Sequence, residues 1–423
     1  MDSIEIKGGT KLEGEVLISG AKNAALPIMA GALLAPGRSI IRRVPRLRDI
    51  FTMLQIFRHL GVRAKFVDED TLEINASTIT DCSAPYELVR KMRASILVLG
   101  ALMGRMGRAL VSLPGGCVIG PRPIDLHLKG LKGLKAQVEM EHGYIKASAP
   151  ELIGGEIYLG GRFGSSVGAT MNLLLAAVKA RGTTTIVGAA CEPEVIDLAR
   201  FLNRMGAHVS GAGSPRITIE GSNELHPAEY TIIPDRIEAG TYLIATAISG
   251  GAIILRNVRA DHLDAVIETL REIGLKITKE EGSITARSGG PLSPVDITTL
   301  PYPGFPTDLQ AQMMALLCTV PGISVIVEKV YPERFMHLPE LNRLGAEISL
   351  EGATAVVRGG CRLSGAPVMA SDLRASAALV LAGLVAKGKT TVRRVYHLDR
   401  GYERMVEKLT ALGARIKRIK EDA

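Results

Sequence analysis

A cysteine that directly follows two glycines and precedes an arginine by five residues is the feature of this chain best suited to acid–base or covalent chemistry. The run is LPGGCVIGPRPIDLHLKG, from Leu113 to Gly130, and its three prolines argue against a regular helix or a central strand, so the stretch is expected to form a shaped loop. Gly115 and Gly116 allow the backbone to approach a ligand closely, and Arg122 would hold negative charge near Cys117 and favour its thiolate. A lone cysteine more often packs as a small hydrophobe. Cys82, Cys191, Cys318 and Cys361 lie in sequence that reads as ordinary strand, helix or turn; Cys117 alone lies in a Gly/Pro-rich segment. The chemistry implied is a reactive thiol acting on an anionic substrate.

The elements that must position this loop recur along the chain. A phrase consisting of a turn and then an alternating strand pair appears as LGVRAKFVDEDTLEI, LKAQVEMEHGYIKA, MGAHVSGAGSPRITI, IGLKITKEEGSITA, LGAEISLEGATAVV and LGARIKRI. These six copies begin at Leu60, Leu134, Met205, Ile273, Leu344 and Leu412, so by subtraction they lie 74, 71, 68, 71 and 68 residues apart. The second copy has Lys135 where the others have glycine. A second phrase keeps the same beat: a helix apolar nearly all round, a glycine, then a β-branched strand, centred on Gly37, Gly107, Gly182, Gly251, Gly322 and Gly388. The glycine is expected to cap each helix. An apolar helix of this kind belongs inside its domain.

Counting back 14 to 16 residues from each glycine reaches Lys22, Arg93, Ser166, Arg236, Asp308 and Arg374, where the buried helices should begin. Cations are unfavourable at a helix N-terminus, so their repeated use there points to an anion docking at these starts. Six units arranged as two domains of three would leave a cleft, and the boundary is expected near residue 230, in GSNELHPAEYTIIPD. Such an architecture suits an enzyme for phosphorylated substrates.

Composition narrows the class further. A chain of 423 residues is long enough for two domains of about 200 residues. No apolar stretch is long enough to span a membrane, and the acidic, glycine-containing start MDSIEIKGGTKLEG does not resemble a secretion signal, so a cytoplasmic location is expected. The five cysteines form no CxxC pair and no metal-ligand spacing with the eight histidines, so neither a disulfide framework nor a metal site is expected. The net charge is +8, but the cations are dispersed and there is no Trp, which argues against a nucleic-acid partner and for phosphorylated small molecules.

Eight runs then resemble one family, the UDP-N-acetylglucosamine enolpyruvyl transferases: SGAKNAALPIMA, VRKMRASILVLG, LPGGCVIGPRPIDLHLKG, SVGAT, FPTDLQAQ, ERFMHLPEL, DLRASAALVLAG and HLDRGYERM. They occur in the family's order across almost the whole chain. The resemblance implies an α/β fold, a two-domain inside-out α/β barrel built from six repeats of about 70 residues, three per domain. It implies a first domain over residues 22–229 and a second formed by residues 1–21 with 230–423. The reaction implied is transfer of enolpyruvyl from phosphoenolpyruvate to the sugar 3-hydroxyl with release of phosphate, the first committed step toward peptidoglycan, with no cofactor.

By the same resemblance Cys117 is the general acid toward the phosphoenolpyruvate methylene, and Asp308 receives the sugar hydroxyl proton. Lys22, Asn23, Arg122 and Arg400 grip phosphoenolpyruvate, Arg400 acting within the catalytic set. Arg93, Arg122, Pro123, Ile124, Asp125, Leu126, Ser166, Val167, Asp308 and Val330 bind the nucleotide sugar, and Arg374 is a supporting cation. His127 and His397 are expected to be structural. Gly164 stands where some members carry a lysine, so no lysine contact to the diphosphate is expected there. The sister family acting on shikimate 3-phosphate shares the architecture, but Cys117 in its Gly-Gly loop and the RPIDLH run argue against it. A non-catalytic nucleotide-sugar sensor on the same scaffold is opposed by the joint presence of acid, base and anion-gripping residues.

Overall fold

The computed structural model describes residues 2–114 and 124–420. The chain divides into two compact units, one comprising Gly20 to Ile233 and the other the N-terminal segment through Ser19 together with the chain from Pro234 onward. Each has its own apolar core.

In the Gly20–Ile233 unit the inner helices are Lys22–Gly31, Leu97–Met106 and Val167–Ala177; in the other they are Arg236–Ser249, Gln310–Leu317 and Leu373–Val385. Their residues are buried on nearly every face, as their uniformly apolar sequences require. Around each set lie three four-stranded sheets. This is the inside-out α/β barrel, with helices at the centre and strands outside. Close helix approach depends on small residues: a Cβ on Gly100 would stand 2.2 Å from the backbone oxygen of Asn172 on the neighbouring helix.

All six sheets follow one plan. A short edge strand runs parallel to a second strand, which is antiparallel to a third, which is antiparallel to the last. Thus Ser83–Ala84 pairs with Arg108–Ser112, that strand with Tyr144–Ser148, and that with Gln137–Glu141. The register places Val111 opposite Ile145 and Ala109 opposite Ala147, so the buried residues of adjacent strands share the face that covers the helices. The repeated hairpin is present in five of these sheets, and the last is built differently. Arg415–Lys420 pairs with the N-terminal strand Asp2–Lys7, which lies inside the sheet between Arg415–Lys420 and Lys389–Arg393.

Two edge strands pair within their own unit although the helix that follows each in sequence belongs to the other unit. Glu13–Leu17 precedes the inner helix Lys22–Gly31 in sequence but pairs with Ala252–Arg256, and Glu229–Thr231 precedes Arg236–Ser249 but pairs with Arg38–Arg42. The chain passes from one unit to the other between each of these strands and the helix that follows it.

The left-handed turn residue of the repeat holds in every copy: Gly61, Gly206, Gly274, Gly345 and Gly413 have φ of 83°, 97°, 118°, 93° and 94°. Lys135 adopts φ of 67° in the second copy, so the repeat's turn geometry is kept without glycine, at a cost of about 1 kcal/mol. The expectation that a glycine caps every inner helix is corrected. Gly107 and Gly250 are left-handed caps, the second one residue before the expected Gly251. The other four helices end earlier, on right-handed or extended residues, and the glycine serves the turn into the strand.

Candidate active site

The starts of the inner helices carry the candidate residues, but their local chemistry differs from a row of bare cations. Asp235 and Asp372, immediately before two of these helices, accept hydrogen bonds from the N–H groups of Ile237 and Glu238 and of Arg374 and Ala375. They cap the helices that begin at Arg236 and Leu373 and offset the unfavourable cations beside them. Lys22 is 8% exposed, and its Nζ lies 3.3 Å from Oδ2 of buried Asp49. Carboxylates of the same unit therefore stand at the helix starts that carry Lys22, Arg236 and Arg374.

In the Gly20–Ile233 unit a second group of candidates gathers around His127. The helix Asp125–Gly133 corrects the expectation of a loop reaching Gly130: no proline lies beyond Pro123 to break it, Asp125 in the first turn favours it, and burial of His127, Gly130 and Leu131 offsets the weak helix preference of its glycines. His127 is buried, and its Nδ1 lies 3.0 Å from the Asn172 amide nitrogen, while Asn172 Oδ1 accepts from the Gly100 N–H at 2.7 Å. With the Asn172 amide donating, Nδ1 is the acceptor and Nε2 carries the proton. The ring lies 3.2 Å from where a Gly168 Cβ would stand, and a Leu126 carbon 2.9 Å from that of Gly161. Leu126, His127 and the Gly161–Gly168 segment therefore come together, with Arg93 near enough to depress the His127 pKa. Asp125 is exposed and Ile124 half-buried at the start of the same helix.

Ser166 caps the helix Val167–Ala177, its Oγ accepting from the Ala169 N–H. Among the described residues the N–H groups of Val167 and Gly168 have no protein acceptor, the condition of a helix start that can take an anion. Gly164 has φ of 90° and exchanges two backbone hydrogen bonds with Gly161. A lysine there would be strained.

The other unit holds an ion cluster. Arg374 Nη2 donates to Asp308 Oδ2 at 2.6 Å, and Arg334 Nη1 to Asp308 Oδ1 at 2.7 Å. The arginine side chains are 4% and 8% exposed, but Asp308 keeps 27% of its side-chain surface, so the carboxylate remains reachable. Desolvation by its surroundings would raise the Asp308 pKa, but the two guanidiniums outweigh it and hold the carboxyl well below the usual range. Arg400 ends the short helix Val395–Arg400 and is half-buried; Val330 follows strand Gly322–Glu328, its N–H donating to Glu328 Oε1 at 3.0 Å. Asn23 lies in the first turn of helix Lys22–Gly31. Cys117, Arg122 and Pro123 lie outside the described residues.

A sequence model of the family described as EPSP synthase (3-phosphoshikimate 1-carboxyvinyltransferase) matches residues 6–409. The chain is 54% identical over 423 residues to UDP-N-acetylglucosamine 1-carboxyvinyltransferase 2 of Carboxydothermus hydrogenoformans, covering 100% of both. It is also 54% identical over 422 residues to the UDP-N-acetylglucosamine 1-carboxyvinyltransferase of Myxococcus xanthus, covering 99% of this chain and 100% of that one. The chain belongs to the UDP-N-acetylglucosamine 1-carboxyvinyltransferase family. Among solved structures, the enolpyruvyl transferase NikO from Streptomyces tendae superposes with a TM-score of 0.89 at 28% identity over 99% of this chain and 98% of that one. EPSP synthase from Acinetobacter baumannii shares the fold, with a TM-score of 0.78 at 17% identity over 99% of this chain and 100% of its own.

Nothing in the repeat pattern singled out Arg334, Asp49, Asp235 or Asp372 in this member of the UDP-N-acetylglucosamine 1-carboxyvinyltransferase family. The two capping aspartates had a legible signal, an Asp just before an apolar helical run. Arg334 lies in the run ERFMHLPEL, which carries the resemblance but not the partner, and Asp49 lies in none of the runs; their partners are 26 and 27 residues away. Among the described residues no group of three His, Cys, Asp or Glu side chains is placed to hold a metal ion, and no helix is long and apolar enough to cross a membrane.

His127 yields a pH signature for this transferase. Burial, with Arg93 adding to it, lowers its pKa from 6.5 to about 3, so the folded protein keeps the ring neutral while the unfolded chain takes up a proton below about pH 6.5. The unfolded state then binds more protons, and stability falls as pH drops from 6.5 toward 3. Denaturant unfolding at pH 7 and pH 5 should show wild type losing about 2 kcal/mol more than His127→Gln. Equal losses in the two proteins would refute the buried neutral ring.

Proposed function

We propose that this chain transfers the enolpyruvyl group of phosphoenolpyruvate to the 3-hydroxyl of UDP-N-acetylglucosamine and releases phosphate, in the cytoplasm, as the first committed step of peptidoglycan precursor synthesis. The observation that carries this reading is full-length identity of 54% to enzymes named for that reaction. The likeness to EPSP synthase structures, at 17% identity, speaks only for the fold.

The net reaction adds the sugar hydroxyl to C2 of phosphoenolpyruvate and a proton to C3, then expels phosphate as a C3 proton leaves. Cys117 is assigned the proton delivered to C3 and Asp308 the proton lost by the hydroxyl. A carboxylate held at low pKa is a weak base, yet it suffices here. Protonation at C3 makes C2 oxocarbenium-like, and a hydroxyl bonding to such a carbon becomes strongly acidic. Arg334 and Arg374 keep Asp308 in the anionic form that this step needs.

Lys22, Asn23, Arg122 and Arg400 are assigned to the phosphate and carboxylate of phosphoenolpyruvate. Arg93, Arg122, Pro123, Ile124, Asp125, Leu126, Ser166, Val167, Asp308 and Val330 are assigned to the nucleotide sugar, with Arg374 supporting Asp308. The grouping of Leu126 and Arg93 about His127, and the N–H groups of Val167 and Gly168 that find no acceptor among the described residues, support an anion-bearing ligand there. The deciding assay is phosphate release from phosphoenolpyruvate with UDP-N-acetylglucosamine beside one with shikimate 3-phosphate. Release with the nucleotide sugar alone is expected; release with shikimate 3-phosphate alone, or with neither, overturns the assignment.

A further inference from the structure

Glu328 is a carboxylate 1% exposed at the end of strand Gly322–Glu328, and it faces no cation at ion-pair distance among the described residues. Four hydrogen bonds satisfy it instead. Oε1 accepts from the Thr299 hydroxyl at 2.6 Å and from the N–H groups of Val330 and Tyr331 at 3.0 and 2.8 Å. Oε2 accepts from the Thr307 hydroxyl at 3.0 Å. Thr307 Oγ1 in turn accepts from Arg334 Nη1 at 3.0 Å, and the same nitrogen donates to Asp308 Oδ1 at 2.7 Å.

A single guanidinium nitrogen is thus shared between Thr307 and Asp308, and the Thr307 hydroxyl is oriented by Glu328. Because the hydroxyl proton is committed to Glu328, its oxygen lone pairs face Arg334, which aims Nη1 at Asp308. We propose that Glu328 and Thr307 are positioning residues that fix the Asp308 carboxylate by holding Arg334, while Glu328 also sets the Val330–Tyr331 backbone. The inference rests on the role given to Asp308 above. Both are assigned to act through Arg334 rather than on the reacting atoms.

The geometry makes separable predictions for three variants. Thr307→Val removes the hydroxyl, leaving Glu328 Oε2 without its donor and Arg334 without its second acceptor, so Arg334 should turn toward Glu328. Asp308 would then be held by Arg374 alone. Glu328→Gln, with its carbonyl oxygen at the Oε1 position, keeps the three bonds there but presents an N–H₂ to Thr307. That reverses the polarity of one bond and leaves the rest. Thr307→Ser keeps the hydroxyl and should restore most of the loss seen in Thr307→Val.

Steady-state kinetics with UDP-N-acetylglucosamine should show kcat lowered about tenfold to a hundredfold in Thr307→Val and in Glu328→Gln, with KM for the nucleotide sugar changed by less than about twofold. A purely structural role would lower the melting temperature without this split and without rescue by serine. Wild-type kcat in Thr307→Val, or failure of Thr307→Ser to recover turnover, overturns the relay. A crystal structure of Thr307→Val separates this result from failure of the functional reading. If wild type is itself inactive with UDP-N-acetylglucosamine, the functional reading falls, and the relay is still judged by whether Arg334 leaves Asp308. An unchanged Arg334–Asp308 contact in that structure overturns it.

Discussion

Asp308→Asn should reduce turnover by about 10²- to 10⁴-fold and destabilise the protein by about 2–4 kcal/mol. The two effects have one origin. Arg334 and Arg374 are buried, and Asp308 is the carboxylate both of them bond. Neutralising it leaves two guanidiniums facing each other in a poorly solvated place, and an amide can accept from one but repels the other with its N–H₂.

The pH dependence gives an independent check. The folded carboxyl lies well below 3.8, so its stabilisation is fully present above the unfolded value and is lost only as pH falls through the folded one. The stability difference between wild type and Asp308→Asn should therefore be constant from about pH 5 to pH 8 and shrink only below about pH 4. A difference that fades between pH 7 and pH 5 would mean that the triad is not what holds Asp308 ionised.

Cys117→Ser should lower turnover by about 10²- to 10⁴-fold while leaving UDP-N-acetylglucosamine binding near wild type. An alcohol is a far weaker acid than a thiol and is poorly suited to hand a proton to carbon. Calorimetric titration of the nucleotide sugar beside the phosphate-release assay measures both quantities. Normal turnover in the serine variant would remove Cys117 from the acid role.

Reaction with the epoxide fosfomycin tests the same thiol directly, since only a thiolate opens the ring readily. Burial pushes the Cys318 thiol up to about 12, and burial with Glu192 raises that of Cys191, so neither competes at neutral pH. Peptide mapping should place the adduct on Cys117. Modification at another cysteine would refute a poised thiolate in the Gly-Gly loop.

The period of about 70 residues, the six buried helices and the six turns were legible in the sequence because each depends on near neighbours. An apolar run with no polar face must be buried, and a left-handed turn selects glycine. Lys135 shows the limit of that rule, since the turn keeps its geometry where the residue type argues against it. The helix from Asp125 was obscured by the prolines before it and by the glycines within it, and its buried face rather than local preference sustains it.

Sequence by itself determined the fold class, the family and the candidate groups, including Cys117, Lys22, Asp308 and Arg374. It determined them through local pattern and through motifs that keep their order. Tertiary structure alone decided which groups meet. The Arg334–Asp308–Arg374 cluster joins residues 26 and 66 positions apart, and Lys22 finds Asp49 on a different helix. Tertiary structure likewise paired Glu13–Leu17 with Ala252–Arg256 and Glu229–Thr231 with Arg38–Arg42, each far along the chain, and placed the N-terminal strand inside the last sheet. The physical reason is that a strand's alternation specifies which face is buried but not which edge it joins, and a charge specifies that it needs a partner but not where the chain will supply one.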